Sequence, residues 1–345
     1  MEKLTVSTVT PVYAGKDYLP DLVAKIEEVR ASWNMADAPI ELLEAIFVND
    51  AAIDDSLDIL KELSADRPWI RIVSLSKNFG QHPATVAGIL HSSGDWLVTL
   101  DEDLQHDPAY IERMLETSVN QQADVVFANP AQSVHQKPIR DWTSRGFKSL
   151  VARATGNPHV RDFNSFRLIR GVIGRAAASV CTSETYFDIA VCWFTDRVLS
   201  ISLPLKDFRY IKSGNSSYTF SKLLSHARRM IVSSETKVLR TGALFGLLAM
   251  VLAILFGGNF LINKLFYPET IPVVGWTSLF LSLMLFGGLL AVLLGIALEY
   301  LTIIMLHSQG KPTFFIVDRA SDHALAEYFR RKQGNAIPEK NATAG

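Results

Sequence analysis

The sequence predicts an α/β fold, with a mostly parallel sheet domain over residues 1–235 followed by a two-helix transmembrane hairpin over 236–310. Three observations predict it. Short, β-branched apolar runs alternate with stretches of helical apolar spacing through about residue 130. Each run ends abruptly in polar or acidic residues. Two uncharged apolar spans, each of about twenty residues, then follow residue 240. Strands separated by helices need crossover connections, and these cover both faces of a parallel sheet.

The elements follow in order. Leu4–Pro11 is the first strand, and Tyr18, Leu19, Leu22, Val23, Ile26 and Val29 mark one helix face. Leu42–Val48 is the second strand, with Asn49-Asp50 at its carboxyl end. Asp54 or Asp55 caps a helix carrying Leu57, Leu60 and Leu63. Ile70–Leu75 is the third strand, followed by the loop Ser76-Lys77-Asn78-Phe79-Gly80 and a helix with Pro83 in its first turn. Trp96–Leu100 and Asp124–Ala128 are the fourth and fifth strands. Beyond residue 130 the pattern loosens. Ser133–Ile139 reads as a loop, Thr143–Thr155 as a basic helix, and Phe163–Leu168 and Val198–Leu205 as further strands. Ser221–Ser233 is helical and basic, as expected of a segment lying along a membrane interface.

Thr241–Ile262 and Trp276–Leu298 are long enough to cross a hydrocarbon layer of roughly 30 Å. Their glycines permit close helix packing and would allow a homo-oligomer. Lys237 and Arg240 precede the first span, and His307 and Lys311 follow the second. The positive-inside rule therefore places both termini and the sheet domain in the cytoplasm of an inner, cytoplasmic membrane. The first residues carry no signal-peptide core. Residues 311–345 form a C-terminal segment expected to be disordered after Lys332.

Net charge is −1, but its distribution is uneven. Residues 1–130 hold 9 Lys and Arg against 22 Asp and Glu, whereas residues 131–241 hold 18 against 7. A basic segment just before a membrane span suits anionic lipid rather than nucleic acid. Ordinary lipid-headgroup contact is the plainer reading for Arg140, Arg145, Lys148 and Arg153. Cys181 and Cys192, the two cysteines, have no metal-like spacing and fit a reducing compartment.

The most informative run is Leu97-Val98-Thr99-Leu100-Asp101-Glu102-Asp103-Leu104-Gln105-His106-Asp107-Pro108. An apolar strand ends in carboxylates at i and i+2, where open α/β sheets gather ligands. Alternation along an extended segment points Asp101 and Asp103 to one side, with Gln105 following if the segment stays extended. Oxygen ligands so placed suit Mg²⁺ or Mn²⁺ and, through the cation, a diphosphate. Asp50 ends a neighbouring strand and faces the same crevice, where it could accept hydrogen bonds from a nucleobase or ribose, or simply serve a turn.

Four front motifs, Thr10-Pro11-Val12-Tyr13, Val48-Asn49-Asp50 through Ser56, Leu75-Ser76-Lys77-Asn78-Phe79-Gly80 and Asp101-Glu102-Asp103-Leu104-Gln105, together resemble family-2 glycosyltransferases of the GT-A fold. Gly214-Asn215-Ser216-Ser217-Tyr218-Thr219-Phe220, the two spans, Glu299-Tyr300-Leu301 and Gly310-Lys311-Pro312 resemble its polyprenyl-phosphate branch, which includes dolichyl-phosphate mannose synthase. The resemblance covers roughly residues 4–318 and implies a hexosyltransferase-type enzyme. It implies inverting transfer of a sugar from a nucleotide-sugar to polyprenyl (undecaprenyl) phosphate at the bilayer.

The resemblance also assigns residues. Pro11, Tyr13, Asp50 and Lys77 would hold the donor nucleoside. Asp101, Asp103 and Gln105 would bind metal and diphosphate. Arg140 and Ser144 match the acceptor-phosphate pair on a mobile loop, and Asp162, Ser165 and Arg167 match an Asp-x-x-Ser-Phe-Arg element. Asp101, Asp103, Asp162 and Arg140 are thereby the catalytic candidates, with Ser165, Arg167, Arg209 and Lys212 joining the acceptor phosphate. The chain departs from the family pattern at Gly15, where relatives often carry an acid, and at Pro130, Ser165 and Ile211. Two other readings remain open: transfer to a lipid-linked saccharide or another membrane lipid, and a non-catalytic membrane scaffold.

Overall fold

The first strand of the chain carries apolar side chains toward both faces, so it can sit only in the middle of a covered sheet. A computed structural model describes residues 3–131, 157–182, 185–205, 237–267, 275–308 and 322–335. Its elements fall into two units, one built around a seven-stranded sheet and one made of the two long apolar helices.

In the sheet unit, β1 (Leu4–Val12), β2 (Ile40–Asn49), β3 (Ile70–Ser74), β4 (Trp96–Thr99), β5 (Val125–Pro130), β6 (Arg167–Arg170) and β7 (Val198–Leu203) lie in the order β3-β2-β1-β4-β6-β5-β7. The first four are parallel to one another. β6 runs antiparallel to both β4 and β5, while β5 and β7 are parallel. The register of β1 on β2 skips Leu43, a bulge that sets Glu44 opposite Ser7.

Helices α1 (Leu19–Met35), α2 (Ser56–Ala65) and α4 (Ile111–Asn120) cover one face, burying Leu22, Ile26, Leu60 and Met114 on Val6, Leu42 and Phe47. Helices α3 (Gln81–Leu90), α5 (Gly171–Val180) and α6 (Phe187–Val191) cover the other, burying Ile89, Ile173 and Phe187 on Val9, Val48 and Leu97. Each such aliphatic or aromatic side chain contributes about 1.5–3 kcal/mol. α3 lies very close to the sheet: a Cβ at Gly88 would fall 2.4 Å from Val9 Cγ1.

The sequence reading misses α5 and α6, and also α9 (Asp322–Asn335), which lies in the C-terminal segment. Leu325 and Phe329 are buried in the same core cluster as Met114, Leu115 and Val119, and Lys332 pairs with Glu112 of α4. The helix continues past Lys332, where disorder was expected. The strand expected over Phe163–Leu168 also needs correction. A short 3₁₀ turn occupies Pro158–Arg161, and β6 begins only at Arg167, with Phe163 instead packing its ring on Phe127 at 5.4 Å.

The second unit holds α7 (Lys237–Phe266) and α8 (Trp276–Ser308), antiparallel and in close contact. A Cβ at Gly246 would lie 2.7 Å from the Ala291 carbonyl, and the Phe260 and Phe280 rings meet tilted, 4.7 Å apart. Both are long and apolar enough to cross a membrane. At 30 residues α7 exceeds its expected span at both ends, and at 33 residues α8 starts where expected and runs on to Ser308. The expected loop at 133–139, the helix at 143–155 and the interfacial helix at 221–233 lie outside the described residues.

Candidate active site

Because β1, β2 and β4 are parallel, their carboxyl ends share one edge. There Pro11, Tyr13, Asp50, Gln81, Asp101 and Asp103 line a cleft of about 350 Å³, together with Asn78, Gly80 and Glu102.

Asp50 is 2% exposed. Its carboxylate accepts the backbone N–H groups of Phe79 at 2.7 Å and Gly80 at 2.8 Å. It therefore ties the loop after β3 to the end of β2, with Ala51 beside it in the left-handed region at φ +51°. The sequence reading offered Asp50 as a nucleoside acceptor, and these two bonds add a task the spacing does not reveal. Tyr13 is partly exposed at the cleft, its backbone oxygen accepting from Ile53 N at 3.0 Å. Lys77 is not among the lining residues and lies over the Phe79 ring at 5.1 Å.

Asp101 follows β4 directly. Its Oδ1 accepts from Gln81 Nε2 at 2.6 Å and its Oδ2 from Ser165 Oγ at 3.0 Å. Its backbone N–H donates to His106 Nδ1 at 3.0 Å, so the His106 proton sits on Nε2, 3.6 Å from Asp101 Oδ2. His106 stacks on Phe166 and is fully enclosed. Burial pushes its pKa down, with Arg167 adding to the effect and Asp101 opposing it, so the ring is neutral. Gln81 and His106 escaped the sequence reading. The only signal for His106 was its place between Gln105 and the helix-opening Asp107-Pro108.

The segment after Asp101 is not extended. It turns at once, with Leu104 at φ +62°, so simple alternation does not apply. Gln105 consequently folds back and donates to Asp103 from its backbone N at 3.3 Å and its Nε2 at 3.0 Å. The structure gives Gln105 the task of holding Asp103 through its two N–H donors. Asp107 caps the following 3₁₀ turn through Ala109 N and pairs with Lys25 at 2.6 Å.

Two expected acceptor-phosphate residues make bonds to carboxylates of the chain. Ser165 spends its hydroxyl on Asp101. Arg167 is 6% exposed, bonded to Asp188 and stacked over Phe187 at 4.8 Å. As a correction, its charge is compensated inside the core instead of being offered to a phosphate. Burial raises the Asp188 pKa, and Arg167 opposes that rise. Asp162 sits half-buried in the turn before β6, with its backbone oxygen accepting from Asn129 at 3.1 Å. Arg140, Ser144, Arg209 and Lys212 lie outside the described residues. Cys181 and Cys192 are free thiols, and burial pushes the Cys181 pKa up to about 12, which suits an inert residue.

The donor set fits a hard divalent cation. It consists of carboxylate oxygens on one turn, with Asp101 and Asp103 oriented by amides and a hydroxyl. Among the described residues no three acidic, His or Cys side chains surround one point. That suits Mg²⁺ or Mn²⁺ held by one or two carboxylates plus substrate phosphates.

Residues 7–177 match the family described as Glycosyl transferase family 2. The chain is 30% identical over 314 residues to the undecaprenyl-phosphate 4-deoxy-4-formamido-L-arabinose transferase of Edwardsiella ictaluri, covering 90% of this chain and 93% of that one. It is 28% identical over 313 residues to the Klebsiella pneumoniae protein of the same name, covering 90% and 92%. Among solved structures it is similar to glucosyl-3-phosphoglycerate synthase from Mycobacterium tuberculosis, with 14% identity, a TM-score of 0.43, and coverage of 67% and 77%.

Proposed function

The chain belongs to glycosyl transferase family 2, in its polyprenyl-phosphate branch, and from that premise we propose that it moves a sugar from a nucleotide-sugar to polyprenyl phosphate at the cytoplasmic face of a membrane. The observation that carries this reading is the cleft itself. Pro11, Tyr13 and Asp50 stand on one side for a nucleoside, and Asp101 and Asp103 on the other for a diphosphate, all within about 350 Å³.

In this reading the acceptor phosphate oxygen attacks the anomeric carbon as the bond to the nucleoside diphosphate breaks, inverting the configuration. A phosphate monoester has a second pKa near 6, so it is already an anion at neutral pH and needs no strong base. What remains for the protein is alignment and charge. Tyr13 and the loop held by Asp50 orient the nucleoside. Gln81, Ser165 and His106 hold Asp101 at the diphosphate, and Gln105 holds Asp103. A bound Mg²⁺ or Mn²⁺ would supply neutralisation of the departing diphosphate. Lys237 and Arg240 in the first turn of α7, with His307 in the last turn of α8 and Lys311 following it in sequence, support both ends of the hairpin lying on the cytoplasmic side.

The test is incubation of the purified full chain, in detergent with Mg²⁺ or Mn²⁺, with undecaprenyl phosphate and a panel of nucleotide-sugars, followed by mass analysis of the lipid. A glycosyl monophosphate lipid from one donor is expected. A product on a lipid-linked saccharide would move the acceptor. No glycosylated lipid from any donor would overturn the reading.

A further inference from the structure

Between Asp101 and Asp103 stands a third acid whose contacts are not those of its neighbours. Glu102 is 7% exposed, and its carboxylate reaches across to the end of β1. Oε2 accepts from Tyr13 N at 2.8 Å, and both oxygens accept from Ala14 N at 3.2 Å. The Tyr13 backbone is thereby fixed from two sides, its N–H by Glu102 and its oxygen by Ile53 N.

This reach needs empty space, and residue 15 supplies it. A Cβ built on Gly15 would lie 2.7 Å from Glu102 Oε2 and 3.3 Å from Glu102 Cβ and Cδ. Gly15 cannot easily move away. Its N–H donates to Ser56 Oγ at 3.0 Å, and its oxygen accepts from Tyr18 N and Leu19 N at the start of α1.

We propose that Glu102 is a positioning residue that sets the spacing between the nucleoside end of the cleft and its diphosphate end, and that Gly15 is glycine to make room for it. The claim rests on the donor-site reading above. Glu102 belongs to the same turn as Asp101 and Asp103, while Tyr13 and Ala14 belong to β1 and its loop, so its two charge-assisted bonds join the two halves directly. Nucleotide affinity then depends on the pair Gly15 and Glu102, which act as one unit and must show non-additive substitution effects.

The experiment uses the full chain in detergent with Mn²⁺ and four probes, UDP, GDP, CDP and ADP, taking whichever binds the parent most tightly. Gly15→Ala, Glu102→Ala and the double variant are titrated by calorimetry. Deuterium uptake of the peptide covering residues 12–16 is followed in parallel. Each single variant is expected to weaken nucleotide binding roughly tenfold to a hundredfold and to speed uptake in that peptide. The double variant is expected to match Glu102→Ala rather than the product of the two losses, because without the carboxylate the 2.7 Å clash is gone and only the 3.3 Å approach to the Cβ of residue 102 remains. Glu102→Gln, which keeps one acceptor oxygen, is expected to fall between Glu102→Ala and the parent. Additive losses, or faster uptake with unchanged nucleotide affinity, would overturn the proposal while leaving the donor site standing. A parent that binds none of the four would overturn both.

Discussion

Two pairs of acids, one toward each end of the sheet, are held differently. Toward the amino ends of β3 and β4, Glu44 of β2 is held by Arg71 at 2.5 Å, with Ser7 and Ser93 assisting. There too Asp124 is held by Arg170 at 3.0 Å, with Thr195 assisting. At the carboxyl ends, Asp50 takes two backbone N–H groups, and Asp101 takes an amide, a hydroxyl and the vicinity of a neutral imidazole. An arginine both orients a carboxylate and cancels its charge, whereas a neutral dipole orients it and leaves the charge in place. The first arrangement suits architecture. The second suits a site where compensation arrives with the substrate.

This contrast can be broken most decisively at Asp101. Asp101→Asn is expected to lower lipid glycosylation by roughly a hundredfold to a thousandfold while leaving the melting temperature close to that of the parent. A variant that melts early, with its remaining folded fraction fully active, would put Asp101 in the architectural class. Next in size is the opposite end. Asp124→Ala leaves Arg170, itself 7% exposed, without its carboxylate, and is expected to cost about 3–5 kcal/mol of stability. Denaturant unfolding in detergent, read alongside nucleotide affinity in the folded fraction, checks it, and affinity is expected to hold.

The smallest effect is a slope in pH. Burial alone would raise the Glu44 pKa, but hydrogen bonds from Arg71, Ser93 and Ser7 outweigh it and hold the group below its ordinary 4.5. A carboxylate lowered on folding stabilises above its unfolded pKa and loses that contribution as pH falls through the folded one. Melting temperature is therefore expected to fall on acidification below about 4.5, and less steeply in Glu44→Gln once its lower baseline is subtracted. Equal slopes would show that Arg71 does not hold Glu44 in solution.

Much of this was legible in the residues. The first five strands announce themselves as runs such as Trp96–Leu100, and Asp101 and Asp50 by ending such runs. What was illegible had physical causes. Arg167 reads as a phosphate ligand because its partner, Asp188, lies 21 residues away in sequence and meets it only in the folded core. Gln105 reads as a ligand only while its segment is extended, and one left-handed residue, Leu104, removes that premise. Glu102 reads as a spacer because nothing local tells that Tyr13 and Ala14 are across from it. The helix α9 was readable, since Leu325, Tyr328 and Phe329 stand at helical spacing, but its polar composition hid it.

That last helix has a consequence for biogenesis. Leu325 and Phe329 complete a core cluster that contains residues of β1, α1 and α4, yet the ribosome makes them only after both apolar helices. While the hairpin is being synthesised, the nascent sheet unit is short of one helix, and Met114, Leu115 and Val119 await their last covering. The core of the sheet unit is thus completed only after the hairpin has been synthesised.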